Sequence, residues 1–281
     1  MLGLIPSKSA SRQTGLDLSM LLGIAVAALA LALGIAQTSV SLDYFLQPTG
    51  FFIVVVGTIG VTLATTPRVA LGRAARRVVN LVWPGDMFQR EELIEEIVSY
   101  ARISRTNGIL ALEPIAPHAS NVFLHSALLF ALDVKKRAEL QSALEDKVRL
   151  SERQGDTDAR VFESAGGFAP AIGVMGTVVG LIDALRRFTD IASVASGMGV
   201  AFVSTVYGLA LANLVLLPLA SRIRTSVAET FEMEALMTEG VLCVFDGIHP
   251  QLIRQRLASV APESPGQQRF SANAAVPAME R

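Results

Sequence analysis

The chain has 281 residues; 51% are hydrophobic, only 17% are charged, and the net charge is −1. A soluble chain carries nearer a quarter charged residues, and a nucleic-acid-binding one carries a basic excess; neither class fits this balance. The lone Cys243 excludes an intrachain disulfide and a cysteine-cluster metal site.

Four runs free of ionisable residues follow in order: Leu18–Ala36, 44–67, 164–182 and 191–221. About 20 apolar residues cross a bilayer as a helix, so each run is read as a transmembrane helix. The first is not read as a secretory signal, because its apolar core is too long and a second span follows after a short link. Lys8 and Arg12 precede the first span, Arg68, Arg73, Arg76 and Arg77 follow the second, and Arg222 and Arg224 follow the fourth. Basic residues mark the cytoplasmic side. Both termini and the middle region are therefore expected in the cytoplasm, although Arg186 and Arg187, balanced by Asp183 and Asp190, lie in an outer link.

The expected fold is an all-α integral membrane protein of four transmembrane helices with a helical cytoplasmic loop domain. Its segments are a cytoplasmic N-terminus (1–15), spans one and two (16–67), the loop (68–163) and spans three and four (164–221). Cytoplasmic C-terminal helices (222–261) and a disordered tail (262–281), rich in Pro, Gly, Ser, Gln and Ala, complete the chain. In the loop, Leu93, Ile94, Ile97, Val98 and Ala101 recur at helical spacing, and Gly108 supplies a stop. Further helices are expected over 120–133 and 135–153, the latter carrying Leu140, Leu144 and Val148. After span four a helix should continue from Arg222 to about Val244, with Gly247 ending it and Pro250 starting a last short one.

Spans three and four hold the informative residues. Gly176 and Gly180 form a G-x-x-x-G pair, with Ala169, Gly173 and Thr177 four apart on a neighbouring face. Gly197, Gly199, Ala201 and Gly208 give span four similar closeness. Small residues at this spacing let helices approach closely in lipid. Thr177, Ser204, Thr205 and Tyr207 place hydroxyls at membrane depth, where each either bonds its own backbone or lines a polar path. No Asp, Glu, His, Lys or Arg lies inside any span, whereas ion translocation normally needs an ionisable group there. Either the chain moves no ion, or a partner supplies a carboxylate. Pro170 and Pro218 sit near the cytoplasmic membrane face and permit bends. Phosphate-loop, zinc-protease and nucleophile-elbow motifs are absent, and His118, His125 and His249 show no ligand spacing. An enzyme is not expected, and no cofactor is implied.

The run 169–181, then 201–208, then 212–218, resembles the flagellar-motor stator A subunit family (MotA/PomA) within the MotA/TolQ/ExbB ion-channel group. Ala101-Arg102, 108–113 and the ending from Asp246-Gly247-Ile248 to Arg254 are similar too, so the resemblance covers about 16–261. It implies a homopentamer in the bacterial inner membrane around two copies of a MotB/PomB-type subunit. The partner's membrane Asp carries H+ or Na+, and ion flow drives the cytoplasmic loops against a rotor switch-complex protein. By the same resemblance, Arg105 and Glu113 meet the rotor, Pro170 and Pro218 serve coupling, and Thr177 and Thr205 stand beside the ion-binding Asp. Ser204, Val134 and the proline-free link at Ser196-Gly197 depart from the family pattern, which leaves the ion open; threonine at both 177 and 205 leans towards sodium. The alternative is a TolQ/ExbB-like energiser of an outer-membrane process. That group has three spans with the loop after the first, whereas here two spans precede the loop.

Overall fold

A computed structural model describes residues 18–37, 45–82 and 90–259. The expectations for the N-terminus, the link around Asp43 and the tail lie outside them. The described residues form helices only, without a strand. In chain order these are α1 (Leu18–Ala36), α2 (Pro48–Thr65), α3 (Arg68–Val82), α4 (Arg90–Asn107), α5 (Val122–Asp133), α6 (Arg137–Arg186), α7 (Ile191–Phe245) and α8 (Pro250–Ser259). Two short 3-10 turns, Ile109–Leu112 and Ala116–His118, join α4 to α5.

Among the described residues, three helices are long and apolar enough to cross a membrane: α2, α6 and α7. The 19 residues of α1 contain no charge.

The helix expected over 135–153 is not a separate element. It continues without a break through the third apolar run as the 50-residue α6. The change from charged to apolar residues near Ser164 alters the surroundings of the side chains, not the backbone preference. Gly166 and Gly167 do not interrupt the helix, and neither takes a positive φ. The fourth run likewise flows into its expected extension as α7.

The chain divides into two compact units. The first contains α1, α2, α3, the part of α6 from Glu152 and the part of α7 up to Ala228. Its exterior is apolar: Leu22, Val26, Leu29 and Leu33 are exposed along α1, and Phe52, Ile59 and Leu63 along α2. A contiguous apolar exterior of this kind suits lipid or a partner.

The helix α3 was not foreseen as a structural element. Its Ala70 and Ala74 pack with Val161, and Val78 and Leu81 join Ala159, Leu219, Ile223 and Val227. Two arginines one turn apart hold it there. Arg73 Nε donates to Asp158 Oδ1 at 3.1 Å and Arg77 Nε to Oδ2 at 2.8 Å. The Asp158 side chain is fully buried, so its charge is held by this pair rather than by water.

The second unit contains α4, α5, α8 and the remaining parts of α6 and α7. Leu93 and Ile97 of α4, Leu124 and Leu128 of α5, Leu140 and Leu144 of α6, Leu236 and Met237 of α7 and Ile253 and Leu257 of α8 form one core. Burying one such side chain stabilises by roughly 1.5–3 kcal/mol. Gly108, at φ 82°, ends α4, and Gly247, at φ 67°, follows α7; both conformations favour glycine. Asn121 caps α5 by accepting from the Phe123 N–H at 2.7 Å. Glu96 pins the loop before α5, accepting from the Tyr100 hydroxyl at 2.6 Å and from Ser120. Burial, together with the Glu96 carboxylate beside it, raises the Tyr100 hydroxyl pKa above its usual value.

Candidate functional site

In the first unit α6 and α7 run antiparallel with glycine or alanine at each close approach. A Cβ built on Gly197 would stand 2.7 Å from the Ala184 nitrogen, and one on Gly180 would stand 2.6 Å from the Ala201 nitrogen. A Cβ on Gly176 would meet the Ser204 Cβ at 2.7 Å, and one on Gly208 would meet the Ala169 carbonyl at 2.7 Å. None of these positions admits a larger residue without backbone movement. Gly199 is different: its nearest neighbour would be Gln47 Nε2 at 3.6 Å, so it is not part of the seam.

This seam brings two of the four hydroxyls together. Thr177 Oγ1 and Thr205 Oγ1 lie 2.5 Å apart, and either can be the donor. Thr177 Oγ1 is also 3.0 Å from the Ala201 carbonyl and 3.2 Å from the Gly173 carbonyl. When Thr205 donates to Thr177, the Thr177 proton goes to a carbonyl and Thr205 presents oxygen lone pairs. When Thr177 donates instead, the Thr205 proton is free to turn outward. Both side chains are half-buried, so the pair keeps one open side.

The other two hydroxyls turn towards α2. Ser204 is fully buried between Gly50 and Gly176, and its hydroxyl donates to the Val200 carbonyl at 2.7 Å. The Tyr207 hydroxyl donates to the Phe45 carbonyl and accepts from the Gln47 N–H at 3.4 Å, while its ring stands edge-on to Phe51. Tyr207 thereby ties the start of α2 to α7.

Pro170 lies inside α6, with its Cα 3.3 Å from where a Cβ on Gly208 would be. Pro218 comes two residues after the end of a π-helical turn, Leu211–Leu216, that interrupts α7. A second π turn, Phe52–Val56, interrupts α2. Such turns gather at functional positions; neither was legible in the sequence, which carries no residue pattern for an inserted residue. At the start of α7, Asp190 accepts from the Ala192 and Ser193 N–H groups and from the Ser193 hydroxyl. The hydroxyl contributes most to holding this exposed carboxyl below the usual range.

Arg105 and Glu113 lie in the second unit. Arg105 is on the last turn of α4 and Glu113 ends the first 3-10 turn; both are exposed, with no ion-pair partner among the described residues. Leu110 between them is 67% exposed. The described residues contain no cluster of His, Cys, Asp or Glu able to hold a metal.

Long apolar helices packed through glycine, with paired hydroxyls at the seam, define a helical membrane protein. Residues 116–235 match the MotA/TolQ/ExbB proton channel family. The chain is 28% identical to motility protein A of Bacillus subtilis over 247 residues, covering 88% of this chain and 92% of that one. It is 29% identical to chemotaxis protein PomA of Vibrio alginolyticus over 250 residues, covering 88% and 96%. The solved flagellar MotAB stator complex of Bacillus subtilis superposes with a TM-score of 0.78 at 27% identity, over 90% of this chain and 98% of that one. The chain belongs to the MotA/PomA stator-subunit family within the MotA/TolQ/ExbB proton channel family.

Proposed function

We propose that the chain is a stator subunit of the bacterial flagellar motor, coupling the flow of H+ or Na+ across the inner membrane to torque on the rotor. The Thr177–Thr205 pair carries this reading: two hydroxyls share one proton-donating contact at a glycine seam, with one side open and no charge on their own spans. Hydroxyls so placed serve an ion only beside a carboxylate, and a MotB/PomB-type subunit supplies it. The match to a MotAB complex over nearly the whole chain supports such a partner.

The assembly is a homopentamer around two partner copies. Here α1 is the first of four transmembrane helices, the termini and the second unit face the cytoplasm, and Arg105 and Glu113 meet the rotor's switch-complex protein. Pro170 and Pro218, beside Gly208 and the π turn, are the bending points that pass movement at the ion site along α6 and α7. Ser204 and Tyr207 support the site by packing and tethering rather than by touching the ion.

Deleting the gene and restoring it on a plasmid tests the reading. The deletion strain should keep its flagella and lose swimming, and the restored strain should swim. Normal swimming without the chain would contradict a main stator role.

A further inference from the structure

The first unit contains an apolar cavity of about 360 Å³ that the ion site does not use. It lies between the cytoplasmic half of α2, the basic helix α3, α6 and the π turn of α7. Ile59, Leu63, Leu71, Phe162, Leu211 and Leu216 are among its walls. The only hydroxyls in its lining, Thr58 and Thr62, already donate their protons to the Val54 and Thr58 carbonyls and have none left for a ligand. Ile59 and Leu63 are 54% and 58% exposed, so the rim meets the exterior on the apolar face of α2. The volume falls in the range of about 300–1,000 Å³ seen for small-ligand sites.

The charge beside the cavity names the class of ligand. Helix α3 carries Arg68, Arg73, Arg76 and Arg77 and no acid. Asp158 neutralises one of these charges while holding Arg73 and Arg77 inward. Arg68 is exposed without an ion pair among the described residues, and it shares a helix face with the lining residues Leu71 and Ala75, three and seven positions on. An apolar slot open to the hydrocarbon side and a free guanidinium where the span ends match the two halves of an anionic lipid.

We propose that this cavity holds an acyl chain of one anionic phospholipid from the cytoplasmic leaflet, with Arg68 taking its phosphate. The site rests on the reading of α2 as a membrane span. A bound chain would wedge between α2 and the π turn that precedes Pro218, next to the helix segment through which the coupling movement passes.

The test is photolabelling of the full-length chain in phosphatidylcholine vesicles carrying a trace of phosphatidylglycerol with a diazirine on its acyl chain. Matched vesicles carry diazirine-labelled phosphatidylcholine. The anionic probe should label peptides containing 161–165 and Leu211–Leu216 more than the neutral one does. Arg68→Gln should lower that labelling about fivefold, the worth of one basic residue at an anionic surface. Ala75→Leu and Ile59→Trp, both at exposed positions, fill the slot and should abolish it while the thermal melt stays unchanged. Equal labelling by the two probes, or labelling unaffected by both filling variants, overturns the proposal. If no peptide of α2 is labelled by either lipid, the span reading itself fails and the lipid site falls with it.

Discussion

Thr177 on α6 and Thr205 on α7 share a hydrogen bond of 2.5 Å across the helix seam, and the same Thr177 oxygen lies 3.0 Å from the Ala201 carbonyl. Replacing either residue by Val keeps its shape and deletes one hydroxyl. A dehydrated sodium ion would then lack an oxygen ligand, a loss of about 1–3 kcal/mol. The half-saturating sodium concentration for swimming should rise about 10- to 100-fold in a sodium-driven motor, while a proton-driven one changes less. Measuring swimming speed against sodium checks this; normal swimming of both variants at low sodium would make the threonines packing residues.

The seam predicts a sharp contrast between two glycines on one helix. Gly208→Ala places a Cβ 2.7 Å from the Ala169 carbonyl, beside Pro170, whereas Gly199→Ala meets nothing closer than 3.6 Å. Gly208→Ala should lower the melting temperature of the purified protein and abolish swimming. Gly199→Ala should leave both near wild type.

Asp158 makes the strongest stability prediction. Asp158→Ala removes the buried carboxylate that holds Arg73 and Arg77; both arginines are about one-third exposed and still reach water, so the cost should be about 1–3 kcal/mol. Replacing all three with apolar residues of similar size should recover much of that loss. Thermal unfolding in detergent, followed by light scattering, reads both outcomes.

In the second unit, burial, followed by the Glu239 carboxylate, pushes the Cys243 thiol from 9.0 up to about 11. Two pKa units lower the thiolate fraction at neutral pH roughly 100-fold, so iodoacetamide should modify Cys243 far more slowly in the folded than in the denatured chain. The raised value favours the neutral thiol. Its stability contribution is full below pH 9 and is lost as pH rises towards 11. Equal alkylation rates in both states would refute the burial.

Much of this architecture is legible in the chain. The apolar stripe from Leu93 to Ala101 and the stop at Gly108 are local signals, and α4 follows them. The small residues at 173, 176, 180, 197, 201 and 208 announce a close seam and meet along it. What pairs across long separations is not legible. Nothing local links Arg73 and Arg77 to Asp158, so α3 passes as the start of a loop. The four hydroxyls look equivalent in sequence, and only helix register sends Ser204 and Tyr207 towards α2. The unbroken α6 escapes for another reason: a polarity change reads as a boundary, yet the backbone does not need one.

Arg105 and Glu113 stand exposed on the second unit with Leu110 between them. Exposed charge contacts are worth below about 1 kcal/mol each, so single neutralisations should reduce swimming only partly. Reversing Glu113 together with its rotor counterpart should restore what either reversal loses. A double reversal that swims no better than the singles would exclude a direct pairing.

The ion path is expected only where a partner carboxylate stands beside Thr177 and Thr205. The direct measurement is proton and sodium flux into liposomes holding the purified chain alone or with its B-type partner. No flux above background is expected for the chain alone. With the partner, flux should appear and vanish when the partner's membrane Asp becomes Asn. Robust flux through the chain alone would contradict it.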